Sequence, residues 1–173
     1  LKINHAVVKT RRGGLQGPAR EVAAVHRVGH ILYVVKDWHR MYAWLRDNLG
    51  MILSDVLYDG DRDNVIGAFI RCNQDEQWVD HHTIALFKGS YTGIHHSSFE
   101  VQDYDAQNIA NELLRESGWT HDWGIGRHVL GSQIFDYWRD PSGFRVEHFT
   151  DGDLYKADSP PGFYQASPDM LYQ

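Results

Sequence analysis

The sequence predicts an α+β fold in which two βαβββ modules pair into one curved, barrel-like mixed sheet. Three observations predict it. The stretch His30-Ile-Leu-Tyr-Val-Val-Lys-Asp37 returns at an offset of 96 − 30 = 66 residues as His96-Ser-Ser-Phe-Glu-Val-Gln-Asp103. Both copies read His-x-x-aromatic-x-Val-x-Asp, the mark of a duplicated supersecondary unit. A helical pattern follows each copy, and three strand-like segments follow each helix.

The repeated stretch itself reads as a strand, because β-branched and aromatic residues alternate along it. The Asp closing each copy is placed to cap the next helix. Trp38–Leu49 carries Met41, Leu45 and Leu49 at helical spacing and stops at Gly50. Tyr104–Ser117 carries Ile109, Leu113 and Leu114 and stops at Gly118, so both helices end at the residue best able to adopt a left-handed conformation. The strand segments are Met51–Tyr58, Val65–Arg71 and Thr83–Phe87 in the first module. In the second they are Thr120–Ile125, Gln133–Arg139 and Phe144–Phe149, the last two joined by the turn Asp140-Pro141-Ser142-Gly143.

These elements occupy residues 26–150, divided into modules at about 26–90 and 91–150. Residues 1–25 read as a linker, since the run 9–20 is rich in Gly, Pro and charge without apolar periodicity. Residues 151–173, rich in Pro, Gly, Ser and Asp, read as an irregular tail.

Composition excludes several functions. The chain has 173 residues and a formal net charge of −6, so it offers no basic field for nucleic acid or anionic lipid. No run of about 18 apolar residues is available to span a bilayer. Cys72 is the single cysteine, which rules out an internal disulfide and a thiolate metal cluster and fits a reducing, cytoplasmic setting. Metal ligands, if present, come from carboxylates and from the eleven His.

Strand parity selects among them. His30 shares a face with Leu32 and Val34; His96 shares one with Ser98 and Glu100. Two modules packed about a pseudo-twofold axis bring such matched positions together. Glu147 shares a strand face with Arg145, opposite Phe144 and Val146, and is the best carboxylate to join the two His. Two imidazoles and a carboxylate suit iron(II), manganese, zinc or nickel; with open positions they suit an iron(II) that activates oxygen. His148 has the opposite parity to Glu147 and is expected to be structural.

The segment Gly126-Arg127-His128, followed by Tyr137-Trp138-Arg139-Asp140-Pro141-Ser142-Gly143-Phe144-Arg145-Val146-Glu147, resembles the signature of type I extradiol ring-cleavage dioxygenases of the catechol and dihydroxybiphenyl type, in the vicinal oxygen chelate superfamily. The resemblance spans about residues 26–152. It implies a glyoxalase-like fold with His30, His96 and Glu147 holding iron(II), or manganese(II), and His82 as the acid–base histidine, with His81 the alternative. It also implies that His128 and Tyr137 contact the oxygens of a catecholic substrate or of O2. Residues 1–25 are similar to the link from a non-catalytic N-terminal domain, and such proteins assemble into homo-oligomers. After His128 the sequence departs from the biphenyl-type pattern, with Val129-Leu130-Gly131-Ser132 in place of the Asn and Asp often found there. The resemblance thus implies insertion of both atoms of O2 into a substituted catechol, giving a ring-opened semialdehyde. An isomerase or lyase of the same fold, or a metal-free binding module, are the alternatives.

Overall fold

The computed structural model describes residues 22–167. Most of the expected 1–25 linker therefore lies outside the described residues. The first module comprises β1 (Val25–Val35), α1 (Trp38–Leu49), β2 (Ile52–Tyr58), β3 (Val65–Arg71), a two-residue β4 (Val79–Asp80) and β5 (Ile84–Lys88). The second comprises β6 (Gly93–Val101), α2 (Tyr104–Glu116), β7 (His121–Arg127), β8 (Ile134–Arg139) and β9 (Arg145–Thr150). The expected helices and the long strands are all present, most bounds shifted by a residue or two, while β1 and β6 begin five and three residues before the repeated His.

The predicted caps account for both helix starts. Asp37 accepts from the Arg40 amide at 3.0 Å, and Asp103 accepts from the Ala106 amide at 2.8 Å. Each such cap contributes about 1 kcal/mol. Gly50 closes α1 with φ 66°, a conformation glycine adopts without steric penalty.

Nine strands form one mixed sheet in the order β11-β2-β3-β5-β1-β6-β9-β8-β7. β1 and β6 lie antiparallel at its centre. On one side β5 runs parallel to β1; on the other β9 runs parallel to β6. The two halves are thus related by a twofold between β1 and β6, as the repeat requires. α1 packs on its module through Val35, Trp38, Leu45, Met51, Val56, Ile70 and Leu86, large side chains whose burial stabilises by about 1.5–3 kcal/mol each. The Trp38 indole N–H donates to the Leu86 carbonyl at 3.0 Å. α2 is tied to its strands by Gln107, whose amide donates to the carbonyls of Ile134 and His148 at 3.2 and 3.0 Å.

The C-terminal stretch corrects one expectation. Residues 151–165 are not wholly irregular: β10 (Leu154–Tyr155) pairs antiparallel with β4, and β11 (Gly162–Gln165) pairs parallel with β2. Both strands are too short to show a period, and a composition rich in Pro, Gly and Ser hides them. Arg71 secures the stretch, its buried guanidinium donating to the carbonyls of Lys156 and Ser159 at 3.0 and 2.7 Å. Among the described residues no helix is long and apolar enough to cross a membrane.

Candidate metal centre

His30 is delivered by an interruption of the central strand pair. Val28 faces Phe99 and Ile31 faces Ser97, so Gly29 and His30 together oppose Ser98. Two residues against one make a β-bulge, a device that re-aims a side chain. Ser98 repairs the ladder there: its hydroxyl accepts from the His30 amide at 2.6 Å and donates to the His30 carbonyl at 3.1 Å. Gly29 is required at this point. A Cβ on it would lie 2.1 Å from the Phe149 ring and 2.7 Å from Ser98 Oγ.

Across the twofold, His96 faces Leu32, and Ser98 faces Glu147 in the parallel register of β6 and β9. The three side chains that parity selected meet. His30 Nε2 lies 3.2 Å from His96 Nε2 and 3.0 Å from Glu147 Oε2, which lies 3.3 Å from His96 Nε2. All three residues are buried, and among the described residues they are the grouping of His, Cys, Asp and Glu donors that could hold a metal. Donors at right angles about 2.1 Å from one ion lie about 3.0 Å apart, so these separations suit one divalent cation. Glu147 is fully buried, yet neither carboxylate oxygen has a hydrogen-bond partner of good geometry. A buried carboxylate left in that condition is costly without a cation. Burial by itself raises its pKa, but the close imidazoles of His30, His128 and His96, His30 foremost, hold it well below the usual carboxylate range.

The centre opens into a cavity of about 360 Å³. His30, Leu32 and Val34 line it, confirming the parity of β1. His82 also lines it, its ring centroid 4.1 Å from that of His30. Burial, reinforced by His30 and His81, holds the His82 imidazole well below its ordinary pKa, so it is neutral. His128 and Tyr137 complete the wall, with His128 Nε2 3.1 Å from the Tyr137 hydroxyl. Burial and the nearby Glu147 raise the Tyr137 phenol well above its ordinary value and keep it a donor. Tyr137 faces Glu147 across β8 and β9, and Trp123 stacks on it at 5.5 Å and 9°. His81 points elsewhere, toward Asp55 at 2.7 Å. His148 is partly buried away from the three donors, its carbonyl held by Gln107.

Two ionisable residues of the wall were not among the expected site residues. Strict alternation turns His95 away from His96, but Leu32 faces His96 while Tyr33 faces Ile94, so His95 is the extra residue of a second bulge and lines the cavity too. Arg145 also lines it, with Nη1 at 2.5 Å from His95 Nε2. Its parity with Glu147 was the available signal.

Paired βαβββ modules carrying a buried cluster of two His and one Glu define a vicinal-oxygen-chelate protein. The chain belongs to the Glyoxalase/Bleomycin resistance protein/Dioxygenase superfamily, whose profile matches residues 27–148. It is 36% identical over 149 residues to metapyrocatechase 2 of Cupriavidus necator, covering 85% of this chain and 43% of that protein. It is 31% identical over 124 residues to biphenyl-2,3-diol 1,2-dioxygenase of Paraburkholderia xenovorans, covering 70% of this chain and 40% of the relative. The chain thus spans less than half the length of these relatives. Among solved structures, homoprotocatechuate 2,3-dioxygenase from Arthrobacter globiformis superposes with a TM-score of 0.69 at 26% identity, over 84% of this chain and 44% of that one. A Mn(II)-bound glyoxalase from Novosphingobium aromaticivorans superposes with a TM-score of 0.74 at 25% identity, over 86% and 46%.

Proposed function

We propose that this chain binds iron(II) through His30, His96 and Glu147 and cleaves a substituted catechol beside its diol, inserting both atoms of O2 to give a ring-opened semialdehyde. The convergence of these three buried donors, joined by no fourth His, Cys, Asp or Glu donor among the described residues, carries the reading. When bound, iron(II) supplies adjacent open positions for the catechol oxygens and O2 and a path for electron density from ring to oxygen. A fourth protein ligand, as lyase and isomerase chemistry on this fold uses, closes one of those positions. Manganese(II) is the alternative occupant, and the likeness to a Mn(II)-bound glyoxalase favours an isomerase or lyase of the same fold as the second reading.

The protein's own side chains do the rest. Neutral His82, at the cavity wall, accepts a catechol proton and later returns it, a role that contributes about 10²- to 10⁴-fold. Tyr137 and His128 hydrogen-bond the substrate oxygens and orient the ring. Leu32, Val34, Leu57, Phe69 and Phe87 line the same cavity and exclude water from it. Glu147, held ionised, offsets one of the two positive charges. Assembly into a homo-oligomer and a cytoplasmic setting belong to the same proposal.

The test is anaerobic loading with iron(II), then addition of a substituted catechol and air. Uptake of one O2 per catechol with a yellow product is expected. Fully loaded protein that leaves the catechol unchanged overturns the reading, and zinc or nickel in the protein as isolated favours the isomerase or lyase.

A further inference from the structure

Behind His82 lies a second pair of ionisable residues that the ring-cleavage reading does not use. His81 Nε2 lies 2.7 Å from Asp55 Oδ2, and His81 Nδ1 lies 3.0 Å from His82 Nδ1. All three side chains are buried, His81 at 1% exposure and Asp55 at 3%. The pair is built rather than incidental. Leu53 faces Ile70 and Asp55 faces Phe69, so Ser54 is the extra residue of a bulge in β2. This bulge makes Ser54 and Asp55 consecutive buried polar residues. Ser54 Oγ donates to the His81 carbonyl at 2.5 Å and accepts from Arg71 at 3.0 Å.

The C-terminal stretch closes over the pair. Gly162 of β11 lies in register with Asp55, and a Cβ there would come within 2.4 Å of Asp55 Oδ1. The His81 amide donates to the Asp153 carbonyl at 2.9 Å, and the Tyr155 ring lies 5.3 Å from the His81 ring. Gly131, in the stretch that departs from the family pattern, packs so tightly on His81 that a Cβ would fall 2.6 Å from His81 Nδ1.

We propose that Asp55 and His81 are positioning residues that set the tautomer of His82. This proposal rests on the ring-cleavage reading for its consequence but not for its geometry. A carboxylate only accepts, so Asp55 requires the proton of His81 on Nε2. The bare Nδ1 of His81 then accepts, which requires the proton of His82 on its own Nδ1. His82 Nε2 is left with its lone pair free for the cavity. A catechol O–H bond breaks, its proton forms an N–H bond at His82 Nε2, and the Nδ1–H stays in place. The charge thus formed stays on His82 and is stabilised through its hydrogen bond to His81, itself held by Asp55, the arrangement by which a buried carboxylate orients a catalytic imidazole elsewhere. Without Asp55, His81 is free to carry its proton on Nδ1, and His82 then presents an N–H to the substrate instead of a base.

Imidazole ¹⁵N spectra of the zinc-loaded protein, with His82 assigned by signal loss in His82→Gln, test this without reference to turnover. Wild type is expected to show His82 protonated at Nδ1 and bare at Nε2. Asp55→Leu is expected to move the proton to Nε2 and, in the iron-loaded protein, to lower kcat about 10²-fold with KM unchanged. Adding His81→Asn to Asp55→Leu, with an amide oxygen that can stand where Nδ1 stood, is expected to restore the wild-type tautomer. A wild-type His82 carrying its proton on Nε2 overturns the proposal, as does an unchanged tautomer in folded Asp55→Leu. Because the wild-type spectrum needs no activity, a protein that fails to cleave catechols while showing the expected tautomer contradicts only the ring-cleavage reading.

Discussion

Ser98 grips His30 by both ends of its backbone, accepting from its amide at 2.6 Å and donating to its carbonyl at 3.1 Å, across the bulge that aims the imidazole inward. One small hydroxyl on the second module thereby places a donor on the first. Ser98→Ala leaves two buried backbone groups without partners, at a cost of about 1–3 kcal/mol. The expected result is a lower melting temperature with metal affinity reduced about 10- to 100-fold, read by thermal unfolding and metal titration. Unchanged metal affinity would show that the bulge holds His30 without this contact.

Gly29 makes a sharper test of the same bulge. A methyl group there meets the Phe149 ring at 2.1 Å and Ser98 Oγ at 2.7 Å, so β1 must move away from β9. Gly29→Ala is expected to lose about 1–3 kcal/mol of stability and most of its bound metal, while Gly118→Ala, strained at φ 79° but with nothing within 4 Å, loses stability and keeps its metal. Comparable metal content in the two variants would contradict this account of how His30 is aimed.

His82 and the three donors separate binding from chemistry. His82→Ala is expected to retain stoichiometric metal while its kcat falls by about 10²- to 10⁴-fold. Metal loss in that variant would place His82 among the ligands.

The cavity argues for an uncharged ring substituent. Leu32, Val34, Leu57, Phe69 and Phe87 line it, and Arg145, the cation among the lining residues, is engaged by Asp122 and His95. A substituent carboxylate here is buried against apolar groups, costing several kcal/mol. Catechols with alkyl or aryl substituents are expected to exceed carboxylate-bearing ones in kcat/KM by about 10-fold or more. The reverse order would contradict this reading of the wall.

Asp122 gives a pH dependence carried by a group outside the three donors. Burial raises its carboxyl pKa, but hydrogen bonds from Arg139 and Arg145 outweigh that and lower it from 3.8. A depressed carboxylate stabilises the fold above its unfolded pKa and loses that contribution as pH falls through the folded value. The melting temperature of wild type is expected to exceed that of Asp122→Asn at neutral pH, the gap closing below about pH 4. A gap that persists to lower pH would mean that Asp122 acts through packing.

Much of this was legible because duplication is visible in residue order. The two His at matched positions, the Asp caps and the Gly stops all follow from periods of two and 3.6, and strand parity carried Glu147 to the same face. Parity fails at bulges, where one residue is added to one strand, and the bulges hide both His95 and the turn of Asp55 toward His81. The distinction between His81 and His82 was legible only by resemblance, since adjacent His carry no signal for which faces the cavity. The strands β10 and β11 escaped because their pairing is long-range and their composition is that of a loop.

The central claim is that His30, His96 and Glu147 together hold one iron. Anaerobic titration of iron(II) into wild type and into His30→Ala, His96→Ala and Glu147→Ala tests it most directly. One iron per chain in wild type, with at least a hundredfold weaker binding in each variant while far-ultraviolet circular dichroism is unchanged, is the predicted result. Wild-type affinity retained in any one of the folded variants would contradict it.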